Sequence, residues 1–295
     1  MTPKVLTKAQ VEQFMEKGWV RLEEAFSEKD ALAAQDYVWH QVEKRGVMRH
    51  DASTWTQPMV RMNENYDTPE FRKCQTNRLR DAIEDLLGAG RWAERDKPIQ
   101  WGWWPVNFSH GADRPWDVPT EKWHIDGIHY PQFIDSQEQG LLMLCFFSEI
   151  KPHSGGTLVA EYSHNIVADV LNNHPEGLGV DQVNALAKKH PWLAELTGEA
   201  TSSNPESSRI DKFMNMVTFD EKGNHLRVVE TTGGPGDVIL GHPFLFHAAS
   251  QNHSGKPRFM CNNRAPLKSK LNLQRERGDY SPLELSIKRA VSGLS

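Results

Sequence analysis

The sequence has few features that would cross-link the chain or anchor it in a membrane. Its 295 residues include three cysteines, Cys74, Cys145 and Cys261. An odd number at such wide spacing excludes a disulfide framework and a cysteine-based zinc module. The longest apolar run, at 141–147, is far too short to cross a bilayer, and the first ten residues lack the apolar stretch of a signal peptide. We therefore expect a reduced, cytoplasmic protein that does not bind membranes.

An excess of positive charge is also absent. The chain has 34 Lys and Arg against 39 Asp and Glu, which gives a net charge of −5 with histidine neutral. A nucleic-acid-binding face needs a basic surplus, so we expect a small molecule as partner and no nucleic acid. The oligomeric state is unknown from the sequence. What the chain has in abundance is histidine and tryptophan, 13 and 10 residues respectively.

The N-terminal part reads as helices around one short strand. Thr7 and Gln10 form a capping box, and the helix that follows ends at Gly18. The alternation at 19–22 predicts a strand. Ser27 caps a second helix that closes near Gly46, and a third helix is predicted at 80–87. We assign residues 1–97 to an N-terminal helical flank.

From residue 98 the chain changes to short strands separated by glycine and proline. We expect a mainly β fold with flanking helices, in which the core is a double-stranded β-helix, a cupin-like jelly roll. The chain is then one domain, 1–295, with the core at 98–165 and 223–265, an insertion at 166–222 and a tail at 266–295. The predicted strands are 99–108, 122–125, 140–147, 157–160, 225–230, 237–240, 245–249 and 258–263.

A histidine and a carboxylate with metal-ligand spacing lie in the segment Trp123-His124-Ile125-Asp126-Gly127. In a strand, residues two apart point to the same side, so His124 and Asp126 can converge on one ion. A second histidine would complete a facial triad of two imidazoles and one carboxylate. The same spacing at His174 and Glu176 encloses Pro175 and indicates a turn.

The second histidine is expected at the end of the segment that starts Pro235-Gly236-Asp237. An apolar strand and a loop there lead to His247. Arg258 follows after a turn, so two adjacent antiparallel strands would bring it beside His247. The planar fork of an arginine binds a carboxylate with two hydrogen bonds. His242 is the rival ligand, but it precedes Pro243 in the bend and lies at a worse distance from Arg258.

These motifs together resemble the phytanoyl-CoA dioxygenase (PhyH-like) family of Fe(II)/2-oxoglutarate-dependent oxygenases. The resemblance covers most of the chain. It rests on three patterns. The first is the opening order of a helix, Gly18-Trp19-Val20, Ser27 and a second helix. The others are the W-H-x-D-G segment and the PGD…H…R ending. It also includes Ser154-Gly155-Gly156-Thr157, which leads to Ser163-His164.

The resemblance implies a double-stranded β-helix in which His124, Asp126 and His247 hold Fe(II). It further implies that Arg258 binds the C5 carboxylate of 2-oxoglutarate and that Thr157 hydrogen-bonds this cosubstrate. The implied enzyme is a dioxygenase that hydroxylates a C–H bond of a small-molecule metabolite with O2 and releases succinate and CO2. Related halogenases replace the carboxylate ligand with a small residue, so Asp126 favours a hydroxylase or another oxidase.

The sequence departs from the family at two places. A hydroxyl residue is common two positions after the distal histidine, but this chain has Ala249 there, and Ser250 is the candidate substitute. The family's G-S-H appears as Tyr162-Ser163-His164. Neither change touches the expected iron ligands.

Further pocket residues are suggested by their position alone. Asn107 is a candidate for the C1 carboxylate of 2-oxoglutarate. Trp104 lies on one face of a tryptophan-rich strand that either lines the pocket or packs in the core. His129 and Tyr130 follow the H-x-D segment, and Asn63 lies near the N-terminal helices, where Arg61 is an equal candidate. Arg114, Trp116 and Gln132 also flank the H-x-D segment, and each of these positions is as compatible with a solvated loop.

Two other functions fit parts of the pattern. One is a cupin-like metal-dependent isomerase or lyase that does not use 2-oxoglutarate, which would have no need of Arg258. The other is a silent jelly-roll binding module, which would be free to lose one of the three ligands.

Overall fold

Two facing antiparallel sheets form the centre of the computed structural model, which describes residues 2–201, 207–275 and 278–292. The strands are β1 (Trp19–Leu22), β2 (Met59–Met62), β3 (Trp104–Asn107), β4 (Leu142–Phe146), β5 (Thr157–Glu161), β6 (Thr218–Phe219), β7 (His225–Glu230), β8 (Val238–Gly241), β9 (His247–Ala249) and β10 (Met260–Arg264). The α-helices are α1 (Lys8–Lys17), α2 (Glu28–Glu43), α3 (Pro69–Lys73), α4 (Asn77–Leu87), α5 (Ser163–Asn172), α6 (Val180–Ala187), α7 (Pro191–Leu196) and α8 (Pro282–Ser292).

The first sheet has the order β1-β8-β4-β10, and β2-β3 continues it at one edge. The continuation follows from an isolated bridge between Asn107 and Arg258 and from the Asn262 N–H, which donates to the Trp103 carbonyl at 3.0 Å. The second sheet has the order β6-β7-β5-β9. The inner side of the first sheet carries Leu144, Phe146 and other residues of a small apolar cluster. The site described below lies between the two sheets.

The outer face of the first sheet packs against the N-terminal helices. Buried side chains of β4 and β8 share one large core with α2, α3 and α4. The helices begin where the sequence predicts, because Thr7 and Gln10 form the capping box of α1 and Ser27 accepts from the Asp30 N–H at the start of α2. Gly18 ends α1 with φ 82°. These elements and β1 are confirmed.

Several boundaries differ from the predictions. Residues 122–125 do not form a ladder strand, and only His124 makes a single bridge there. The strand predicted at 99–108 is limited to β3, and α4 begins three residues before the helix predicted at 80–87. The elements β2, α3 and α8 are not among those predicted from the sequence. The last of these packs against α1, α4 and α5, so part of the C-terminal tail belongs to the core.

The tryptophan-rich segment does not alternate as predicted. Trp103 adopts φ 62° and is 42% exposed, whereas Trp101 and Trp104 are both fully buried. The left-handed turn at Trp103 breaks the period of two, so Trp101 and Trp104 enter the same core. Trp104 contacts Phe147 at a ring-centroid distance of 4.9 Å. The packing interpretation is therefore correct for Trp104, and its proposed place in the pocket wall is wrong.

The three cysteines lie far apart in the sequence but not in the fold. Cys145 and Cys261 are directly opposite each other on β4 and β10, and all three are buried and free. Burial raises the pKa of the Cys74 thiol to about 12, so the group stays protonated and behaves as a small apolar side chain. Among the described residues, no helix has the length and apolar character needed to span a membrane.

Two histidines are buried without access to solvent behind β9. The rings of His164 and His242 lie 4.8 Å apart, and both residues are 0% exposed. His164 Nε2 contacts the Met15 carbonyl at 3.2 Å, and His242 Nδ1 accepts from the Phe244 N–H at 3.1 Å. Burial lowers the pKa of His164 to about 4 and lowers that of His242 well below the usual value. Both rings are therefore neutral in the folded protein at neutral pH.

This burial predicts a loss of stability in mild acid. Below pH 6.5 the unfolded chain binds a proton at His164 that the folded chain does not bind until about pH 4, so the free energy of unfolding falls across this window. A difference of this size corresponds to roughly 3 kcal/mol for His164. Urea unfolding of H164Q from pH 7 to pH 4 should show a shallower decline than the wild type. The exposed-site variant H129Q is the control, and equal slopes for H164Q and wild type would contradict the assignment.

Candidate metal centre

A pair of backbone hydrogen bonds joins the H-x-D segment to β9. The His124 N–H donates to the His247 carbonyl at 3.1 Å, and the His247 N–H donates to the His124 carbonyl at 3.0 Å. Directly opposed residues in an antiparallel pair have side chains on the same face. The two imidazoles therefore lie side by side, with ring centroids 4.5 Å apart.

Asp126 completes the group. Its Oδ1 lies 3.5 Å from His124 Nε2 and 3.8 Å from His247 Nε2. In the described part of the chain, these three residues are the one set of histidine, cysteine or acidic side chains whose ligand atoms all lie within 4.8 Å of one another. The structure thus brings together the three ligands expected from the sequence.

The flanking residues of the H-x-D segment fix its orientation. Trp123 and Ile125 are buried, and the Trp123 Nε1–H donates to the Pro119 carbonyl at 2.8 Å. The Ile125 N–H donates to Asn184 Oδ1 of α6 at 2.9 Å. With these two side chains turned into the core, His124 and Asp126 are left on the other side, as the period of two predicted, although no ladder strand is present.

Both imidazoles present the same nitrogen to the centre. His124 Nδ1 lies 2.7 Å from the Lys122 carbonyl, and His247 Nδ1 lies 3.0 Å from the Leu245 carbonyl. A carbonyl only accepts, so each Nδ1 carries the proton and each Nε2 keeps a free lone pair. Such outer hydrogen bonds fix the tautomer and ring orientation of metal-binding histidines. Lys122 reaches this position with φ 62°.

The electrostatics keep the carboxylate charged. Burial raises the pKa of Asp126. This effect is outweighed by the positive charge that His247 and His124 can carry and by the hydrogen bond from His124, so the pKa is lowered overall. For His124, burial lowers the pKa, and the hydrogen bond and charge of Asp126 raise it above the usual value. Burial lowers the pKa of His247. The side chain of His247 is 6% exposed, against 43% for His124, so the centre opens to solvent on the His124 side.

Arg258 points between the sheets and is buried, with no counter-ion in the described part of the chain. Its side chain is 3% exposed, and its Nε and Nη1 have no hydrogen-bond partner within the described residues. Burial lowers the pKa of this guanidinium to about 10, which still leaves it charged at neutral pH. An unpaired buried cation is costly. This position therefore calls for an anion.

The other residues expected at the cosubstrate differ in their surroundings. Thr157 lies opposite Ala249 on the inner face of β5. Of the side chains that the structure describes, its hydroxyl bonds only to the Met260 sulfur, at 3.8 Å. Asn107 is bridged to Arg258, but its amide is engaged with the backbone of Ser250 and His110. The Ser250 hydroxyl donates to Glu230 Oε1 at 3.1 Å. Thr157 therefore has the freest polar group, and the hydroxyl of Ser250 is turned to a carboxylate.

The candidates for the substrate pocket are dispersed. Tyr130 is close enough to Asp126 for that charge to act on its pKa, and its hydroxyl donates to Gln139 Oε1 at 2.8 Å. His129 and Asn63 are exposed. Asn63 has no described contact with the three ligands.

The rival ligands are placed elsewhere. His242 is in the buried pair with His164 and not at the centre. His174 Nδ1 contacts the Val170 carbonyl at 2.7 Å just after α5, with Glu176 in the following turn, as Pro175 predicted.

His110, which lies next to Arg258, is not among the residues predicted from the sequence. Its N–H donates to Asn107 Oδ1 at 3.0 Å, and its carbonyl accepts from the Asn252 N–H at 2.9 Å. No motif includes His110. Only its position three residues after Asn107 could have pointed to it.

The fold is shared with solved structures, although no family model and no curated protein matches the sequence. SnoK, a non-heme alpha-ketoglutarate-dependent carbocyclase from nogalamycin biosynthesis, is 15% identical with a TM-score of 0.50, over 89% of this chain and 84% of that chain. EctD from S. alaskensis, solved with 2-oxoglutarate and 5-hydroxyectoine, is 17% identical with a TM-score of 0.49, over 89% and 76%. HygX from Streptomyces hygroscopicus, solved with nickel and 2-oxoglutarate, is 13% identical with a TM-score of 0.46, over 87% and 85%.

At this identity the similarity to SnoK concerns the fold alone. It confirms the jelly-roll core with flanking helices that the sequence predicts. The more specific resemblance to the phytanoyl-CoA dioxygenase family stays a prediction.

The geometry predicts that each ligand is needed for metal binding. Replacing Asp126 or His247 by alanine should weaken Mn(II) binding by at least about 100-fold, because even outer-shell changes at metal sites cost 10–100-fold. Equilibrium dialysis with electron paramagnetic resonance detection of free Mn(II) measures this. The exposed neighbour H129A should bind like the wild type, and equal affinity in D126A would show that the metal binds elsewhere.

Proposed function

We propose that this protein is an Fe(II)/2-oxoglutarate-dependent dioxygenase that hydroxylates a C–H bond of a small-molecule metabolite. The observation that carries the proposal is the combination of two features on the inner faces of the sheets. One is the group of two imidazole Nε2 atoms and one carboxylate, and the other is the buried, unpaired guanidinium of Arg258. SnoK, a solved protein of similar fold, is a non-heme alpha-ketoglutarate-dependent enzyme, which supports the assignment.

The residues present fit the metal. His124, Asp126 and His247 would hold Fe(II) as a facial triad, the ligand set that suits non-heme iron and leaves coordination positions open. Both Nδ1 protons are already bound to carbonyls, so no rearrangement of tautomer is needed. When bound, Fe(II) supplies the redox chemistry that couples the oxidation of 2-oxoglutarate by O2 to that of the substrate.

The role of Arg258 follows from its burial. Its fork would bind the C5 carboxylate of 2-oxoglutarate with two hydrogen bonds, and either edge of the fork includes one of the nitrogens that have no partner among the described residues. In a site that excludes water this pairing is stronger than at the surface. The Thr157 hydroxyl is free to donate to the same carboxylate, whereas the contact with Glu230 holds Ser250 away from this role.

The protein contributes position more than chemistry. The His124–His247 bridge and the Asn107–Arg258 bridge fix the two ends of the cosubstrate site relative to the two sheets. A displacement of about 1 Å at such a site can reduce the rate about 100-fold. A cupin-like isomerase or lyase would have no use for Arg258, so this alternative is not favoured.

The class of the enzyme is tested by anaerobic titration of the metal-free protein with Fe(II) and 2-oxoglutarate. We expect a weak visible charge-transfer band, and after addition of air a slow release of succinate. Fe(II) binding without any effect of 2-oxoglutarate would favour the isomerase or lyase instead. Analysis of products by mass spectrometry for one added oxygen atom tests hydroxylation separately.

Arg258→Ala should weaken the binding of 2-oxoglutarate without weakening the binding of the metal. Loss of charge-assisted hydrogen bonds, each worth about 1.5–3 kcal/mol, should raise the Kd of 2-oxoglutarate by at least about tenfold and leave Mn(II) affinity nearly intact. Arg258→Lys should recover only part of the affinity, because the fork is lost. The exposed-residue variant R72A is the control. Equal loss of Mn(II) in R258A would show that Arg258 has a different role.

A further inference from the structure

Three exposed cations lie in segments that border the metal centre. Arg61 is on β2, Arg114 is in the segment between β3 and β4, and Lys122 lies two residues before His124. Across the described residues, none of these three side chains has a hydrogen-bond or ion-pair partner. This local accumulation of charge stands out because the chain as a whole carries a net charge of −5.

The register of the strands shows which way Arg61 points. Arg61 is directly opposite Pro105, and two residues further along the pair Asn107 is opposite Met59. Asn107 is also opposite Arg258 in its isolated bridge. Since directly opposed residues share a face and the side-chain period is two, Arg61 lies on the same inner face as Asn107 and Arg258. The other face of β2 and β3 packs into the helical core.

The backbone places His110 beside two of the segments that carry these cations, because it follows β3, which pairs with the strand of Arg61, and its loop continues to Arg114. His110 is held between Asn107 and Asn252 by its backbone, next to the strand of Arg258. Burial lowers the pKa of its imidazole, and the strongest charge effects on it also lower the pKa and come from four cations: Lys122, Arg114, Arg61 and Arg258. These effects agree with the backbone placement of Arg61 and Arg258 on the strands that flank Asn107, next to His110.

We propose that the substrate carries an anionic group, a carboxylate or a phosphate, which Arg61, Arg114 and Lys122 bind at the mouth of the site. This inference rests on the proposed function and adds the chemical class of the substrate. Cations that converge without counter-ions repel each other, and an anion between them removes that repulsion and gains charge-assisted hydrogen bonds.

The three exposed cations are suited to the substrate and not to 2-oxoglutarate. The cosubstrate has the buried guanidinium of Arg258 for its distal carboxylate, at 3% exposure. The other three side chains are open to solvent, so they can receive a larger molecule that enters after the cosubstrate. Two arginine forks and one lysine ammonium match the oxygens of a phosphate or a carboxylate. Binding the charged end there would hold the remainder of the molecule toward His124 and Asp126.

The first test uses inorganic phosphate and acetate as probes of the protein loaded with Mn(II) and 2-oxoglutarate. Paramagnetic Mn(II) accelerates the nuclear relaxation of any anion bound close to it. We expect a saturable effect on the 31P signal of phosphate or the 1H signal of acetate. The double variant Arg61→Gln with Arg114→Gln should raise the Kd of the effective probe by at least about tenfold, the change expected from losing one charge-assisted hydrogen bond or more.

Lys122→Gln is a second, single variant that keeps the backbone carbonyl bound to His124. It should raise the Kd of the same probe without a change in Mn(II) affinity. Lys29→Gln, at an exposed lysine on α2, is the matched control and should behave like the wild type. Thermal unfolding of each variant verifies that it is folded.

The outcomes are distinct. A phosphate effect alone identifies a phosphorylated substrate, and an acetate effect alone identifies a carboxylic acid. The proposal is wrong if neither probe gives a saturable effect, or if the glutamine variants bind the probes like the wild type. It is also wrong if excess 2-oxoglutarate displaces the probes, because the probes would then occupy the Arg258 position. If the wild-type protein does not bind Mn(II) or 2-oxoglutarate in the first place, the proposed function is refuted instead. Equilibrium dialysis of phosphate and acetate against the same variants would then still test whether the cations bind an anion.

A second test compares matched pairs of candidate substrates. Carboxylic acids should stimulate succinate release if acetate is the effective probe, and their primary amides with the same carbon skeleton should not. The equivalent pair for phosphate is a phosphate monoester and its free alcohol. Stimulation by the neutral members alone would overturn the proposal.

Discussion

The pair of backbone hydrogen bonds between His124 and His247 is the contact on which the site depends. It closes a loop of more than a hundred residues, and the entropic cost of closure rises only slowly with loop length. Each bond contributes only about 1 kcal/mol net, so the bridge is maintained by what surrounds it. Trp123 and Ile125 are buried on one side, and β9 is held in the second sheet by β5 on the other.

The site has two halves that differ in their exposure to solvent. His247 is buried on β9 of the second sheet, and Arg258 is buried just before β10 of the first sheet, so the packing between the sheets sets their positions. Asp126 and His124 are partly exposed on an irregular segment. A rigid buried half and an accessible half suit a reaction in which a cosubstrate is enclosed and a substrate enters later, because a preorganised site loses little freedom when it binds. The unpaired charge of Arg258 is the cost of that preorganisation.

Much of the fold and the centre could be predicted from the sequence because local rules and tertiary packing agree there. The capping box at Thr7 and the H-x-D spacing each led to the observed placement. The prediction was wrong where tertiary contacts override local pattern. Trp103 reverses the alternation through a positive φ. The helix α8 lies in the segment that the sequence assigns to the tail, although Glu284 inside it is buried and paired with Arg91 and Arg275. Such long-range pairs leave no local signal.

The convergence of cations illustrates the same limit in electrostatics. Arg61, Arg114 and Lys122 belong to three separate segments, and each looks like an ordinary surface residue in the sequence. A net charge of −5 even argues against a basic site. The register of β2 on β3, and of Asn107 on Arg258, places Arg61 on the inner face, whereas Arg114 and Lys122 belong to irregular segments. Net charge governs solubility and long-range attraction, whereas recognition of one anionic group depends on a few side chains that the fold brings within hydrogen-bonding reach of the same point.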